Sequence, residues 1–126
     1  MREILFRGKL KSAGEWAYGN LVVNKQGIYI ITPDETVIGK YGQVDPETVG
    51  QYTGINDRNG KKIFEGDVVN TPRWIVSYCA DTNEGYGMNA GWYLQRDDFE
   101  GWMELENHCE HVVLGNIHDN PELVVK

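Results

Sequence analysis

The sequence predicts a fold made mostly of β-strands, from its composition and from the spacing of its turns. Val, Ile, Tyr, Trp and Phe together number 35 of the 126 residues, whereas Ala, Leu and Met number 14. β-Branched and aromatic side chains fit pleated, half-buried surfaces better than they fit helices. Short apolar segments also follow one another between turns that contain Gly, Asn or Pro, which is the pattern of consecutive strands.

The N-terminal part of the chain is expected to form a β-meander. Two turn signals, at residues 11–14 and 24–27, separate segments in which apolar and polar residues alternate. The expected strands are residues 3–9, 15–23 and 28–31.

Two local signals mark the middle of the chain. Asp45-Pro46-Glu47 has the order of an N-cap, a first-turn proline and an acidic residue near the positive end of a helix. We therefore expect about one helical turn there. Asn59-Gly60 accepts the positive φ values of a hairpin and predicts a tight turn.

Further short strands are expected in the second half. Gly66 lies inside the first of them, and a lone glycine within a strand pattern indicates a β-bulge. Residues 81–91 contain three Gly and two Asn, so we expect a long loop there. The expected strands are residues 61–70, 74–79, 92–95, 102–106 and 111–118, with a last segment at 123–125.

Charge is distributed unevenly along the chain. Residues 1–62 carry a net charge of +2, whereas residues 63–126 carry −9. Affinity for a phosphate backbone comes from Lys and Arg, so double-stranded nucleic acid is not an expected partner. Apolar runs are only a few residues long, far short of the roughly 20 that span a bilayer. We expect a cytoplasmic protein without a membrane partner, in which Cys79 and Cys109 are free thiols.

Three stretches of the chain, taken in order, form a recognisable pattern. They are Phe6-Arg7-Gly8-Lys9 with Trp16-Ala17-Tyr18-Gly19; residues 48–54 with Asp57, Asn59-Gly60-Lys61 and residues 63–69; and Gly115-Asn116-Ile117 with residues 120–123. This pattern resembles the YopX family of small phage and prophage proteins. The resemblance implies a phage or prophage origin, with a bacterial host cell as the location. It also implies a β-rich fold whose second half is an SH3-type barrel, and no established biochemical activity.

The residues agree with such a barrel, because five short strands must close or pack to hide their edges. We divide the chain into an N-terminal β-meander, residues 1–45, and an SH3-like β-barrel with a C-terminal strand, residues 46–126. The two parts are expected to form one compact unit, since 126 residues leave room for about one domain.

The best metal candidate is the run His-Cys-Glu-His at residues 108–111, with Cys79 and His118 elsewhere, because imidazole and thiolate suit zinc. In a strand, however, the two histidines of the run point to opposite faces. Paired Cys-x-x-Cys spacing is also missing. We expect no metal and a strand entrance with exposed histidines. Residues 85–90 loosely fit a dinucleotide-binding loop but precede no helix start, so no cofactor is expected.

Glu65 and Asp67 would share one face of a regular strand, as paired carboxylates do in acid–base catalysis. Gly66 between them disrupts that arrangement, and a turn that leads into the barrel is the simpler interpretation. No Ser/His/Asp order or phosphate-binding loop occurs. We therefore expect a protein without enzymatic activity.

Four Trp and seven Tyr exceed the needs of a small core, and such side chains anchor interfaces. The leading hypothesis is a non-enzymatic module that assembles with itself or binds a host or phage protein. The alternative is a barrel that holds single-stranded nucleic acid with an aromatic face and with Arg2, Arg7, Lys9 and Lys11. The candidate partner-binding residues are Trp16, Tyr18, Gln51, Tyr52, Glu65 and Asp67.

Self-association is the expected state of assembly. A meander of two or three strands is marginally stable alone and leaves unpaired edges. A symmetric oligomer that covers those edges, with Trp16 or Tyr18 as an anchor, would remove them. The charge asymmetry has a second explanation, in which the N-terminal hairpin neutralises the acidic barrel within one monomer.

Removal of metal ions tests the interpretation of the histidine and cysteine run. If no metal supports folding, a chelator leaves the melting temperature unchanged in a thermal melt followed by circular dichroism. A fall of several degrees that zinc restores would contradict this expectation.

Overall fold

The computed structural model describes residues 3–12, 14–32, 40–70, 74–79, 91–96, 102–105 and 110–123. The chain divides into two compact units, residues 1–54 and 55–126. The described strands form two antiparallel sheets, and these ranges contain 3₁₀ turns but no α-helix, which confirms a mostly β fold. Within the described part of the chain, no helix has the length and apolar character needed to cross a membrane.

The first sheet has the strand order β4-β3-β2-β1-β5-β6. Its first four strands are consecutive neighbours, so the predicted meander is confirmed, with a fourth strand that the local pattern did not indicate. The bounds are β1 (Phe6–Lys9), β2 (Trp16–Asn24), β3 (Gly27–Thr32), β4 (Lys40–Gln43), β5 (Gly50–Asn56) and β6 (Lys62–Phe64).

Strand β1 lies inside this sheet, because it pairs with β2 on one side and with β5 on the other. In the β1–β5 pair, Phe6 lies opposite Gln51 and Arg7 opposite Gly50. One edge that was expected to need another copy of the protein is therefore covered by the same chain. On this side of the meander, an unpaired strand edge is therefore no reason to expect an oligomer.

The core of the N-terminal unit consists of Ala17, Ile30 and Val44, with partly buried apolar neighbours. Gly8 packs directly against this cluster. A Cβ atom at Gly8 would lie 3.0 Å from the Cβ atom of fully buried Val44. Such a contact is tighter than most Cβ contacts in proteins, so a larger residue at this position would require the Val44 side chain to shift within a densely packed interior.

The expected helical turn is confirmed as the 3₁₀ turn η1 (Pro46–Thr48). Asp45 is its N-cap, and its carboxylate accepts a hydrogen bond from the Glu47 N–H at 3.1 Å. The buried Thr48 hydroxyl accepts a hydrogen bond from the Lys9 N–H at 2.8 Å and donates one to the Asp45 carbonyl at 2.6 Å. This turn therefore satisfies backbone groups at the end of β1.

The second sheet lies in the unit of residues 55–126 and has the order β10-β9-β8-β7-β11. A core of buried apolar side chains packs within this unit, comprising Ile63, Val69, Trp74, Val76, Leu94 and Leu105. The bounds are β7 (Asp67–Val69), β8 (Trp74–Cys79), β9 (Gly91–Gln95), β10 (Trp102–Glu104) and β11 (Val113–Asn116), followed by the 3₁₀ turn η2 (Pro121–Leu123).

One expectation about this half is wrong, and a second is not confirmed. The single strand predicted over residues 61–70 is two strands, β6 and β7, because Gly66 has a φ of +88° and forms a turn between them rather than a bulge. The second sheet is also open, since β10 and β11 are its two ends among the described strands. The described pairing therefore does not close an SH3-type barrel.

Several predicted features lie outside the described residues. They are residues 81–90 of the glycine-rich loop, His108 and Cys109 of the run at 108–111, and residues 124 and 125 of the last segment at 123–125. The first residue of that segment, Leu123, is described, and it is the last residue of η2.

The predicted Asn59-Gly60 turn is confirmed, with Gly60 at a φ of +85°. Asp57 organises it. One oxygen of its buried carboxylate accepts hydrogen bonds from the Asn59 and Lys61 N–H groups, at 2.9 and 2.8 Å. The other accepts from the Val113 N–H at 3.0 Å and so connects the turn to the start of β11.

These contacts determine the ionisation of Asp57. Burial by itself raises the pKa of a carboxyl group, but the N–H donors of Val113, Lys61 and Asn59, with the charge of Lys61, outweigh burial and hold the pKa of Asp57 below its ordinary value. The ionised form is therefore the one that the folded state stabilises.

Substitution of this carboxylate tests its structural role. In Asp57→Asn, one of three backbone N–H groups loses its acceptor, and we expect the free energy of unfolding to fall by about 1–3 kcal/mol at pH 7. Because the folded-state pKa of Asp57 is lowered, its stabilisation is complete above a pH of about 4 and is lost as the pH falls through the folded-state pKa. The difference between wild type and variant should therefore shrink towards pH 3 in urea titrations. The exposed control Glu47→Gln changes charge equally, and an equal loss in it would contradict this role.

Candidate functional site

The register of β1 against β2 brings basic and aromatic residues together. Arg7 lies directly opposite Tyr18, and Lys9 opposite Trp16. Side chains of residues paired in this way lie on the same face of the sheet. Because alternate residues of a strand face opposite sides, the neighbouring Gly8 faces the core and these four residues share the other face.

The two cations lie close to the indole ring. The guanidinium carbon of Arg7 is 4.6 Å from the Trp16 ring centroid, and the Lys9 Nζ is 5.8 Å from it. Cations within about 6 Å of an indole are attracted by its quadrupole, and more strongly when they are withdrawn from water. Arg7 is only 5% exposed, so it acts as a buried support for the ring.

The remaining three residues, Lys9, Trp16 and Tyr18, form what we call the cation–aromatic patch. Tyr18 is 44% exposed, while Lys9 and Trp16 are half-buried. The Tyr18 ring is rigid and ends in a polar hydroxyl group. A ring of this kind contacts a partner over a large area and loses little conformational entropy, so it is suited to binding. The patch therefore offers an aromatic anchor beside a positive charge.

An open concavity of about 580 Å³ adjoins the patch through Lys9. Its lining also includes exposed Lys11 at the first hairpin turn, with Leu10, Gly14, Asp45 and Pro46. The lining thus contains two lysines and one acidic residue, Asp45, whose carboxylate already accepts the Glu47 N–H. The concavity extends the positive character of the patch.

Two other candidate partner-binding residues lie on β5. Gln51 is opposite Phe6 and half-buried, so it shares the core-facing side of the sheet rather than the side of the patch. Tyr52 lies on the same side as the patch by strand alternation, but it is only 7% exposed. The structure therefore gives Tyr52 an interior position.

The last two candidates, Glu65 and Asp67, lie in the other unit, at the turn between β6 and β7. Glu65 is half-buried, whereas Asp67 is 2% exposed, and one of its carboxylate oxygens accepts the Phe64 N–H at 2.8 Å. A buried carboxylate that receives a backbone donor holds a turn in place. Of the six candidate partner-binding residues, only Trp16 and Tyr18 therefore belong to the cation–aromatic patch.

The histidines expected to be exposed are half-buried where they are described. The His111 Nδ1 contacts the Asn70 side-chain amide, and the Asn70 oxygen accepts the Val112 N–H at 3.0 Å. His108 and Cys109 lie outside the described residues. Among the residues that are described, no three His, Cys, Asp or Glu side chains gather in a group that could hold a metal ion.

Sequence reasoning did not foresee the roles of Asp57 and Asn70. An Asp two residues before Asn-Gly is a recognisable signal for a side chain that accepts turn N–H groups. Asn70 adopts a φ of +60°, a conformation that Asn tolerates better than most residues. Its partners lie 41 and 42 residues away, so no local pattern could reveal them.

The fold and this surface define a small two-sheet β protein with a cation–aromatic patch on its N-terminal sheet. Comparison with family models identifies its relatives: the model described as YopX protein matches residues 5–125, and the chain belongs to this family. A search of curated proteins finds no match.

A solved structure resembles the whole chain. It is the crystal structure of protein EF1440 from Enterococcus faecalis, with a TM-score of 0.50 and 23% sequence identity, covering 99% of this chain and 100% of that one. At this identity the likeness concerns the fold alone.

Proposed function

We propose that this protein is a non-enzymatic protein-interaction module of phage or prophage origin that works in the cytoplasm of a bacterial host. Its contact surface is the cation–aromatic patch. The observation that carries the proposal is the β1–β2 register, which places Lys9 beside Trp16 and leaves Tyr18 exposed. The SH3-type barrel implied for residues 46–126 stays a prediction.

An interaction role fits the chemistry of the patch better than catalysis does. Tyr and Trp supply rigid contact area, and Arg or Lys beside them is typical of residues that dominate binding energy. The carboxylate considered for acid–base work, Asp67, is buried and accepts a backbone N–H. Both points support a surface that holds a partner and leaves it chemically unchanged.

Binding of single-stranded nucleic acid is the alternative function. Its support is the shared face of Arg7, Lys9, Trp16 and Tyr18, since single strands bind by base stacking and by contacts to cations. Two observations disfavour it. The Arg7 guanidinium already lies over the indole on which a base would stack, and the chain carries a net charge of −7.

Site-specific photocross-linking tests the proposed surface. We expect p-benzoylphenylalanine in place of Tyr18 to form adducts with protein in the organism that carries the gene, because the ring at this position meets the partner. The matched control is the same substitution at Val23, which lies on β2 with 66% exposure but on the opposite face by strand alternation. Equal yields at the two positions, or no adducts at position 18, would overturn the proposal.

Titration with oligothymidylate separates the two functions. If the patch binds protein, tryptophan fluorescence stays unchanged on addition of the oligonucleotide at low salt. Quenching that is lost in Tyr18→Ser and retained in Val23→Ser would favour the nucleic-acid alternative. Nuclease-sensitive adducts at position 18 would favour it too.

A further inference from the structure

The exposed turn between β5 and β6 carries a dipeptide that is chemically reactive. Asn59-Gly60 is the only Asn-Gly pair in the sequence, and both residues are exposed. A Cβ atom at Gly60 would meet no atom of the described residues within 4 Å apart from its chain neighbours, so water and hydroxide reach this part of the backbone. Asparagine is a thermolabile residue, and a following glycine places no side chain in the way of its reaction.

The reaction is a deamidation that proceeds through a cyclic imide. The Gly60 backbone nitrogen loses its proton to a base and attacks the side-chain carbon Cγ of Asn59. The N–Cγ bond forms as the Cγ–Nδ2 bond breaks, and ammonia leaves with a proton from water. Water then opens the succinimide ring. Opening at Cγ gives aspartate, whereas opening at the main-chain carbonyl carbon gives isoaspartate, which lengthens the main chain by one methylene group.

The folded turn opposes the first step of this reaction. The Gly60 N–H donates a hydrogen bond to the Asp57 carbonyl at 3.0 Å, and the Asp57 N–H donates to the Lys61 carbonyl at 2.7 Å. The Asp57 carboxylate holds the main chain on both sides of Gly60, because it accepts the Asn59 and Lys61 N–H groups at 2.9 and 2.8 Å. Removal of the Gly60 proton and movement of this nitrogen towards Cγ therefore require these hydrogen bonds to break.

The charge of Asp57 acts in the same direction. Burial by itself raises the pKa of this carboxyl group, but its backbone N–H donors hold the pKa of Asp57 below the ordinary value, so the group is ionised at neutral pH. The Gly60 nitrogen becomes negative when it loses its proton, and a nearby carboxylate disfavours a second negative charge. The dipeptide is therefore reactive by sequence and protected by the turn that contains it.

We propose that Asn59 is a site of spontaneous deamidation and that the Asp57 carboxylate controls its rate, with water as the co-reactant. The residue reacts slowly while the turn is intact and faster once the turn opens. Isoaspartate lengthens the main chain between the two N–H groups that Asp57 accepts, those of residues 59 and 61. The modified turn cannot form the same pair of hydrogen bonds, so refolding does not restore the original structure.

Incubation of the full chain at pH 8 tests this proposal, with the reaction at residue 59 followed by peptide mapping and mass spectrometry. Because the turn must break several hydrogen bonds, folded wild type should react at least about tenfold more slowly than wild type unfolded in guanidinium chloride. Folded Asp57→Ala lacks the carboxylate and should react at least about fivefold faster than folded wild type. Asp57→Asn keeps one acceptor oxygen without the charge, should react at an intermediate rate, and covers failure of Asp57→Ala to fold.

The matched control is Asn116→Ala. Its side chain accepts the His118 and Asp119 N–H groups at 3.0 and 2.8 Å, so the substitution weakens another turn of the same unit and leaves the contacts of Asp57 in place. While this variant stays folded, its rate at Asn59 should lie within about threefold of wild type. Equal rates in folded and unfolded wild type, Asp57 variants no faster than wild type, or an equal rise in Asn116→Ala would each overturn the proposal. An unfolded chain in which Asn59 stays intact would overturn it as well.

Discussion

The N-terminal unit depends on the packing of strand β1 against Val44. Strand β1 is hydrogen-bonded on both sides, so the sheet continues only if this strand is correctly seated. A Cβ atom at Gly8 would fit against the Val44 side chain only if that side chain shifted. Because residues alternate, seating Gly8 against the core sends the basic residues on either side of it to the opposite face. The cation–aromatic patch is thus a geometric consequence of core packing.

Local signals in the sequence predicted the features that depend on neighbouring residues. The N-cap at Asp45, the turn at Asn59-Gly60 and three strands of the meander all follow from side-chain chemistry within a few positions. Strand β4 was missed because Lys40–Gln43 carries no apolar alternation, and it forms by pairing with β3. The pairing of β5 with β1 joins residues more than 40 positions apart, so no local pattern could indicate it.

Gly66 shows a different limit of sequence reasoning. A bulge and a turn both use glycine at positive φ, so the residue type does not distinguish them. The distinction lies in which sheet each flanking strand joins, and that depends on distant partners. Similarly, the motif that resembles the YopX family pointed to Tyr52 and Asp67 but could not separate contact residues from interior ones. Their burial shows that part of this motif maintains the fold, with Asp57 and Asp67 as acceptors for backbone N–H groups.

The position of β1 inside the sheet also affects the order in which the chain folds during synthesis. Strand β2 follows β1 after a short turn. The residues of β5 that pair with β1 come about 40 positions after β1. At about 5–20 residues per second, translation leaves one edge of β1 open for roughly 2–8 s. During that interval the nascent meander presents unpaired N–H and C=O groups to neighbouring chains on the same message. The completed sheet covers this edge, so the exposure ends only when β5 becomes available to pair with β1.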